Sequence, residues 1–164
     1  THIELSLDNI LRRNGLKVFS VDDLSVHGGS NRIYANRIES SLVGDSVKQS
    51  INEEQNFGLD DFQTYEIFAD RVKKSKETLV RTLSNLKYNG KEIMCIGATA
   101  KSTTVFNYCG VGPDLIDVIT DLNDYDYAYL GAWNFKEVIA DKEREFVENG
   151  GKFITHVPEV MVFS

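Results

Sequence analysis

The chain has 164 residues and a formal net charge of −7, with 41% hydrophobic and 26% charged residues. This length fits one compact domain of ordinary size, or one domain with a fragment of another. The acidic balance disfavours nucleic-acid binding, which a basic stripe usually signals. No stretch approaches the roughly 18 apolar residues of a membrane span, and no signal-peptide pattern opens the sequence, so we expect a cytoplasmic protein.

The cysteines and histidines predict neither a disulfide framework nor a metal site. There are two cysteines, Cys95 and Cys109, and neither has a CxxC partner. Cys95 stands in an apolar strand pattern, which favours a small core residue. The three histidines are far apart in sequence.

The first part of the chain predicts a helix, a strand, a loop and a second strand. Ser6 is a plausible N-cap for the helix, and Asn14-Gly15 supplies its end. Strands are predicted over residues 16–21 and 32–35. A piece of this size is too small to hold a core alone.

Two helices are predicted next, a short one over residues 47–56 and a long one from about residue 61 to 88. The long helix carries an apolar stripe at helical spacing. We interpret its basic cluster as a solvated face rather than a phosphate site; the cluster consists of Lys73, Lys74, Lys76 and Arg81.

After Gly90 the pattern changes to alternating strands and helices. Strands are predicted over 93–96, 115–119, 127–130 and 153–157, and helices over 103–108 and 135–149. Apolar strands without alternation indicate a parallel sheet that is covered on both faces. The predicted fold class is therefore α/β, an open Rossmann-like parallel sheet with helices on both faces, preceded by the long helix. Ligands of such sheets lie beyond the carboxyl ends of the strands.

One connection is short for this fold. A crossover between parallel strands needs a dozen or more residues, and only a few separate Asp121 from Tyr125. Either these strands are connected unusually, or a segment is missing at this place.

The segment Gly97-Ala98-Thr99-Ala100-Lys101-Ser102 is the strongest candidate for a ligand contact. It follows an apolar strand and precedes a helix, an arrangement that presents backbone N–H groups to an anion. It matches neither the P-loop nor the GxGxxG pattern. Asp121 stands about as far beyond Gly97 as the ribose-binding acid of a dinucleotide site, roughly 20 residues. The alternative is a tight structural turn with Lys101 in solvent.

Three further segments combine a candidate ligand contact with an ordinary structural alternative. The glycines of residues 27–30 allow close backbone approach to a ligand, or simply a turn with a surface histidine. Trp133 and Asn134 suit a base or a sugar, or equally a core tryptophan beside a helix start. The carboxylate of Glu159 suits sugar hydroxyls, or a solvated terminus.

Five segments of the chain form an ordered set of short motifs: HGGSNRIY at residues 27–34, GATAK at 97–101, NYCG at 107–110, AWNF at 132–135, and GGKFI at 150–154 with PEV at 158–160. In the same order they resemble motifs of one family, the sugar C-methyltransferases that use S-adenosylmethionine on nucleotide-linked deoxysugars. Members of that family have a zinc-binding amino-terminal segment, a central methyltransferase domain and a carboxyl-terminal α/β domain that helps to hold the sugar nucleotide. The resemblance implies that residues 1–36 are the last helix and final two strands of the methyltransferase domain, and that residues 37–164 are the carboxyl-terminal domain.

The resemblance also implies a reaction and a set of site residues. A base removes the proton beside the sugar keto group, and the resulting enolate attacks the methyl group of S-adenosylmethionine. His27 is the candidate catalytic residue, through stabilisation of the enolate. The candidate substrate-binding residues are Gly28, Gly29, Ser30, Arg32, Gly97, Ala98, Lys101, Ser102, Trp133, Asn134 and Glu159.

The sequence departs from the family pattern at several places. The glycine-rich S-adenosylmethionine motif and the zinc cysteines are absent, Ser102 replaces a frequent glycine, and the family has a longer stretch after Asp121. We therefore expect this chain alone to bind no cofactor and to be inactive, with a nucleotide-diphosphate sugar as its partner and neither nucleic acid nor membrane. The alternatives are a stand-alone nucleotide-binding module and a dinucleotide-dependent oxidoreductase that uses Gly97 and Asp121.

Overall fold

The computed structural model describes residues 4–26, 29–40, 42–119 and 125–164. The chain divides into two compact units, Thr1–Phe68 and Ala69–Ser164. The domain boundary that the resemblance implies, between residues 36 and 37, stays a prediction. No helix in the described ranges is long and apolar enough to cross a bilayer.

The first unit consists of helices around a β-hairpin. Its elements are α1 (Glu4–Arg13), β1 (Leu16–Leu24), β2 (Ser30–Arg37), α2 (Asp45–Phe57) and the first residues of α3 (Phe62–Tyr88). Strands β1 and β2 pair antiparallel from Leu16 opposite Arg37 to Leu24 opposite Ser30. A small core of Val18, Val21 and Val47 joins the hairpin to α2.

Asp8 fixes α1 against the hairpin. Its carboxylate accepts a hydrogen bond from the Val18 N–H at 3.2 Å and pairs with the Arg12 guanidinium. The predicted N-cap at Ser6 is wrong, because α1 already begins at Glu4. The residues before Ser6 tolerate helix well enough to extend it.

The second unit is built around a five-stranded sheet. After α3 its elements are β3 (Ile93–Ile96), α4 (Ala100–Cys109), β4 (Val118–Ile119), β5 (Tyr127–Leu130), a 3-10 turn (Trp133–Phe135), α5 (Lys136–Lys142), α6 (Arg144–Glu148), β6 (Lys152–Thr155) and β7 (Met161–Phe163). The strand order is β4-β3-β5-β6-β7. All pairs are parallel except β6 with β7. The α/β class is confirmed, and the antiparallel edge strand β7 was not predicted.

Both faces of the sheet are covered, as the apolar strands predict. All four residues of β3 are buried. Ile93 and Cys95 pack on the side of α3 and α4, whereas Met94 and Ile96 pack on the side of α6. Cys95 is fully buried, and this burial raises the pKa of its thiol to about 11, so its predicted role as a core residue is confirmed.

The predicted and observed bounds differ most at two elements. The strand predicted over 115–119 is reduced to β4, because the amides of Leu115 and Ile116 donate to the Gly112 carbonyl in a turn while their side chains still enter the core. The helix predicted over 135–149 is interrupted at Glu143, whose backbone leaves the helical region. The predicted connection between Asp121 and Tyr125 falls mostly outside the described residues.

Two aspartates hold the amino end of β3. Asp117 accepts hydrogen bonds from the Ile93 N–H at 2.7 Å and from the Lys87 ammonium at 2.6 Å. Asp126 accepts from the Glu92 N–H at 3.0 Å and from the Lys91 ammonium at 2.9 Å. These carboxylates therefore set the start of the strand whose other end carries the candidate site.

We expect Asp117→Asn to lower the free energy of unfolding by about 2 kcal/mol, the cost of losing charge-assisted hydrogen bonds. Urea denaturation at neutral pH measures this. The control is Asp70→Asn, because Asp70 is exposed and pairs with Lys73 on its own helix, and its removal should cost less than about 0.5 kcal/mol. Equal effects of the two substitutions would contradict this role of Asp117.

The same aspartate predicts an acid-sensitive component of stability. Burial by itself raises the pKa of Asp117, but the hydrogen bonds from Ile93 and Lys87 outweigh it and hold the pKa below 3.8. A lowered pKa in the folded state means that the stabilisation is complete above about pH 4 and is lost as pH falls further. The difference in stability between the parent chain and Asp117→Asn should therefore shrink below pH 4. A constant difference down to pH 2 would contradict this.

Candidate functional site

The crevice between β3 and β5 is a topological switch point. From β3 the chain continues through α4 on one face of the sheet to β4, and from β5 it continues through α5 and α6 on the other face to β6. The connections from two neighbouring parallel strands thus leave in opposite directions, which opens a ligand-binding crevice at their carboxyl ends. Residues 97–102 and 131–134 lie at this crevice.

The turn 97–102 is held by its own hydrogen bonds. Thr99 is the N-cap of α4, and its hydroxyl accepts from the Ser102 N–H at 3.1 Å. In return the Ser102 hydroxyl accepts from the Thr99 N–H at 3.1 Å and donates to the Thr99 carbonyl at 2.8 Å. Ser102 is only 3% exposed, so its hydroxyl shapes the turn from within.

Gly131 brings the end of β5 directly against this turn. A Cβ atom at Gly131 would lie 2.5 Å from the Gly97 carbonyl oxygen and 3.0 Å from the Ser102 Cβ. The Thr99 hydroxyl closes the contact by donating to the Gly131 carbonyl at 3.0 Å. Gly97 itself has a φ of +89°, a conformation that other residues rarely adopt.

Lys101 connects the two predicted segments. Its ammonium donates to the Asn134 Oδ1 at 3.1 Å and lies 4.9 Å from the centre of the Trp133 ring. Such a cation–π contact holds a lysine near an aromatic face. The structure therefore brings together residues that are more than 30 positions apart. Lys101 is nevertheless exposed in a tight, capped turn, so the structural alternative with Lys101 in solvent stays open.

The arrangement suits a phosphorylated ligand. The N–H groups of Ala100 and Lys101 lie in the first turn of α4, where no intrahelical acceptor exists for them. The helix dipole adds partial positive charge at this end, and Lys101 adds a full one. Small residues at 97 and 98 leave the backbone of the turn approachable from solvent.

The hairpin candidates lie in the first unit. Gly29 and Ser30 line a cavity of about 260 Å³ together with the carboxylate-bearing Asp23 and Glu53. Arg32 is exposed on β2, opposite Asp22 in the strand register. His27 and Gly28 lie outside the described residues, so their predicted roles stay predictions.

Glu159 is exposed in the loop between β6 and β7, where it lines a different cavity with residues of α3.

At the end of β6, the Tyr129 hydroxyl and the His156 Nδ1 are 2.7 Å apart, and burial lowers the pKa of His156. The described residues contain no group of three or more potential metal ligands.

The chain was compared with known protein families. The model of the C-methyltransferase C-terminal domain matches residues 25–127 and, separately, residues 123–158. The chain belongs to this family. Membership of this family supports the prediction that the intact protein is a methyltransferase.

One curated relative is the C-methyltransferase NovU of Streptomyces niveus. It is 29% identical over 184 aligned positions, which cover 97% of this chain and 44% of the relative. The chain thus spans less than half the length of that relative. The alignment is also longer than the chain, so the relative has residues that this chain lacks, and the two family matches overlap at residues 123–127.

Two residues of the site were missed in the sequence. Thr99 was included in the turn but given no role, although a threonine three residues before a serine at a helix start is a capping signal. Gly131 had one signal, its position immediately after an apolar strand. Its partner in the fold could not be found without the strand order.

We expect Gly131→Ala to displace the turn 97–102, because the added methyl group overlaps the Gly97 carbonyl oxygen. Overpacking of this kind costs about 1–3 kcal/mol. Thermal denaturation measures the cost, and amide chemical shifts of residues 97–102 report the displacement. Gly112→Ala is the matched control, because its Cβ would meet only the movable carboxylate of Asp114. A Gly131→Ala protein with unshifted turn amides would contradict the close approach.

Proposed function

We propose that this chain is the substrate-binding carboxyl-terminal portion of an S-adenosylmethionine-dependent C-methyltransferase that acts on a nucleotide-linked keto-deoxysugar. Membership of the family supports the methyltransferase. The observation that supports sugar-nucleotide binding is the contact of Lys101 with Asn134 and Trp133 beside the amino end of α4. This places a cation, unengaged amides and an aromatic ring at one crevice.

In this proposal the diphosphate lies over the first turn of α4. The amides of Ala100 and Lys101 and the Lys101 ammonium donate to its oxygens. Asn134 holds the lysine in position, and Trp133 offers a ring face at the rim to a base or a sugar. Ser102, which the sequence placed among the binding residues, acts by shaping the turn.

The hairpin carries a separate set of candidate sugar contacts. The carboxylates of Asp23 and Glu53 can accept hydrogen bonds from hydroxyl groups at the cavity of Gly29 and Ser30. His27 would stabilise the enolate formed when the proton beside the keto group is removed. S-adenosylmethionine supplies the methyl group when it is bound.

The turn at the switch point does not fit S-adenosylmethionine. Its sulfonium is a cation, whereas the turn at the switch point carries Lys101 and the positive end of a helix. This turn has one glycine, and its Thr99 and Ser102 side chains are engaged in capping hydrogen bonds within the turn. We therefore assign no step of methyl donation to this chain.

We expect Lys101→Gln to weaken the binding of thymidine diphosphate about 10-fold, the consequence of losing one charge-assisted hydrogen bond. Calorimetric titration measures the affinity, and fluorescence of Trp133, the single tryptophan, reports on the same crevice. Lys152→Gln is the control, because Lys152 is the first residue of β6 and lies at the amino ends of the parallel strands, away from the crevice at their carboxyl ends. Unchanged affinity in Lys101→Gln would contradict the assignment.

We also expect the chain to bind thymidine diphosphate but neither S-adenosylmethionine nor NAD, and to transfer no methyl group. Titration of each ligand and a radiolabelled methyl-transfer assay check this. Measurable methyl transfer would contradict the expected inactivity of the chain alone. NAD binding that is lost in Asp121→Asn would instead support the oxidoreductase alternative.

A further inference from the structure

A second cavity, of about 360 Å³, lies between α3 and the loop from β6 to β7. Helix α3 lines it with Arg71, Lys74, Ser75 and Thr78, and the loop lines it with residues 158–160. The helix residues follow i, i+3, i+4, i+7 spacing, so they form one face of α3. This face is polar at every one of these positions.

The contacts of α3 separate its basic residues into two kinds. Lys73 pairs with Asp70 at 3.4 Å, and Lys76 donates to the Tyr108 carbonyl at 2.7 Å while lying over its ring. For Arg71 and Lys74, the described part of the chain provides no ion pair or hydrogen bond. Arg71 lies outside the basic cluster considered in the sequence, and Lys74 belongs to it; both are exposed, as a solvated face predicts, and both line the cavity.

The cavity carries excess positive charge in an acidic protein. Arg71 and Lys74 contribute two positive charges and Glu159 one negative charge, whereas the chain as a whole has a net charge of −7. The hydroxyls of Ser75 and Thr78 add neutral donors beside the two cations. A phosphate monoester, with two to three charged oxygens and a charge between −1.5 and −2 at roughly neutral pH, matches this set of donors.

The volume of the cavity and the carboxylate of Glu159 restrict the class of ligand further. A volume of about 360 Å³ is near the lower limit of small-molecule sites, roughly 300 Å³, and fits a single ring with a phosphate better than a complete sugar nucleotide. Glu159 can accept hydrogen bonds from ring hydroxyls, and Pro158 and Val160 offer an apolar wall. We propose that this cavity binds a phosphomonoester of a sugar, with the phosphate at Arg71 and Lys74 and ring hydroxyls at Glu159.

This site is separate from the switch point and does not depend on the proposed function. The sugar of the ligand can belong to a free sugar phosphate or to a nucleoside monophosphate, since both carry a phosphomonoester and ring hydroxyls. The test includes one compound of each source.

The experiment is a titration of the isotopically labelled chain, followed by amide chemical shifts. The ligands are glucose 1-phosphate, thymidine monophosphate, inorganic phosphate and glucose. We expect saturable shifts at residues 71–78 and 158–160 with at least one of the two phosphomonoesters, and binding at least 10-fold weaker for glucose. The tighter of the two phosphomonoesters identifies the source.

Variants distinguish binding in this cavity from nonspecific attraction of the anionic ligand to positive charges on α3. The double variant Arg71→Gln with Lys74→Gln should weaken binding at least 10-fold, whereas Lys73→Gln, one residue away on the same helix, should leave it unchanged. Glu159→Gln should weaken the phosphomonoester but not inorganic phosphate. Lys101→Gln should leave binding here intact, so that failure of this site and failure of the switch-point site are distinguishable.

Three results would overturn the proposal. They are the absence of saturable shifts at these residues, an equal loss in Lys73→Gln, and inorganic phosphate binding as tightly as both phosphomonoesters. The last result would reduce the cavity to a site for a bare anion.

Discussion

The backbone of Gly131 lies so close to the turn after β3 that no side chain fits between them. This contact fixes the end of β5 against the start of α4, and the Thr99 hydroxyl closes it by bonding to the Gly131 carbonyl. The geometry of the candidate site follows from it. Lys101 reaches Asn134 and Trp133 only because the two segments that carry them are held together at the switch point.

In the proposed function, the turn 97–102 gives an acidic protein a local place for an anion. With a net charge of −7, the chain as a whole repels phosphate, so binding has to come from short-range donors in a fixed arrangement. The unengaged amides of α4 and the ammonium of Lys101 provide them without reorganisation. The capping hydrogen bonds between Thr99 and Ser102 hold the turn that carries these donors.

The sequence predicts the centre of the sheet better than its edges. Residues 93–96 and 127–130 form strands with the predicted bounds, because each is a short, buried apolar run. Strand β7 was missed because it is three residues long and largely exposed. The segments at 97–101 and 133–134 were recognised singly, but their contact depends on strand order, which is not local in sequence. Likewise, only the position of the β6–β7 loop beside α3 places Arg71 and Lys74 at a cavity, and that position is not local in sequence.

The central claim is that the crevice between β3 and β5 holds the diphosphate of a nucleotide-linked sugar. A structure of the chain with a bound nucleoside diphosphate tests it most directly. In that structure we expect phosphate oxygens within hydrogen-bond distance, about 3 Å, of the Ala100 and Lys101 amides and of the Lys101 ammonium. A diphosphate bound elsewhere on the chain, with this turn unoccupied, would contradict it.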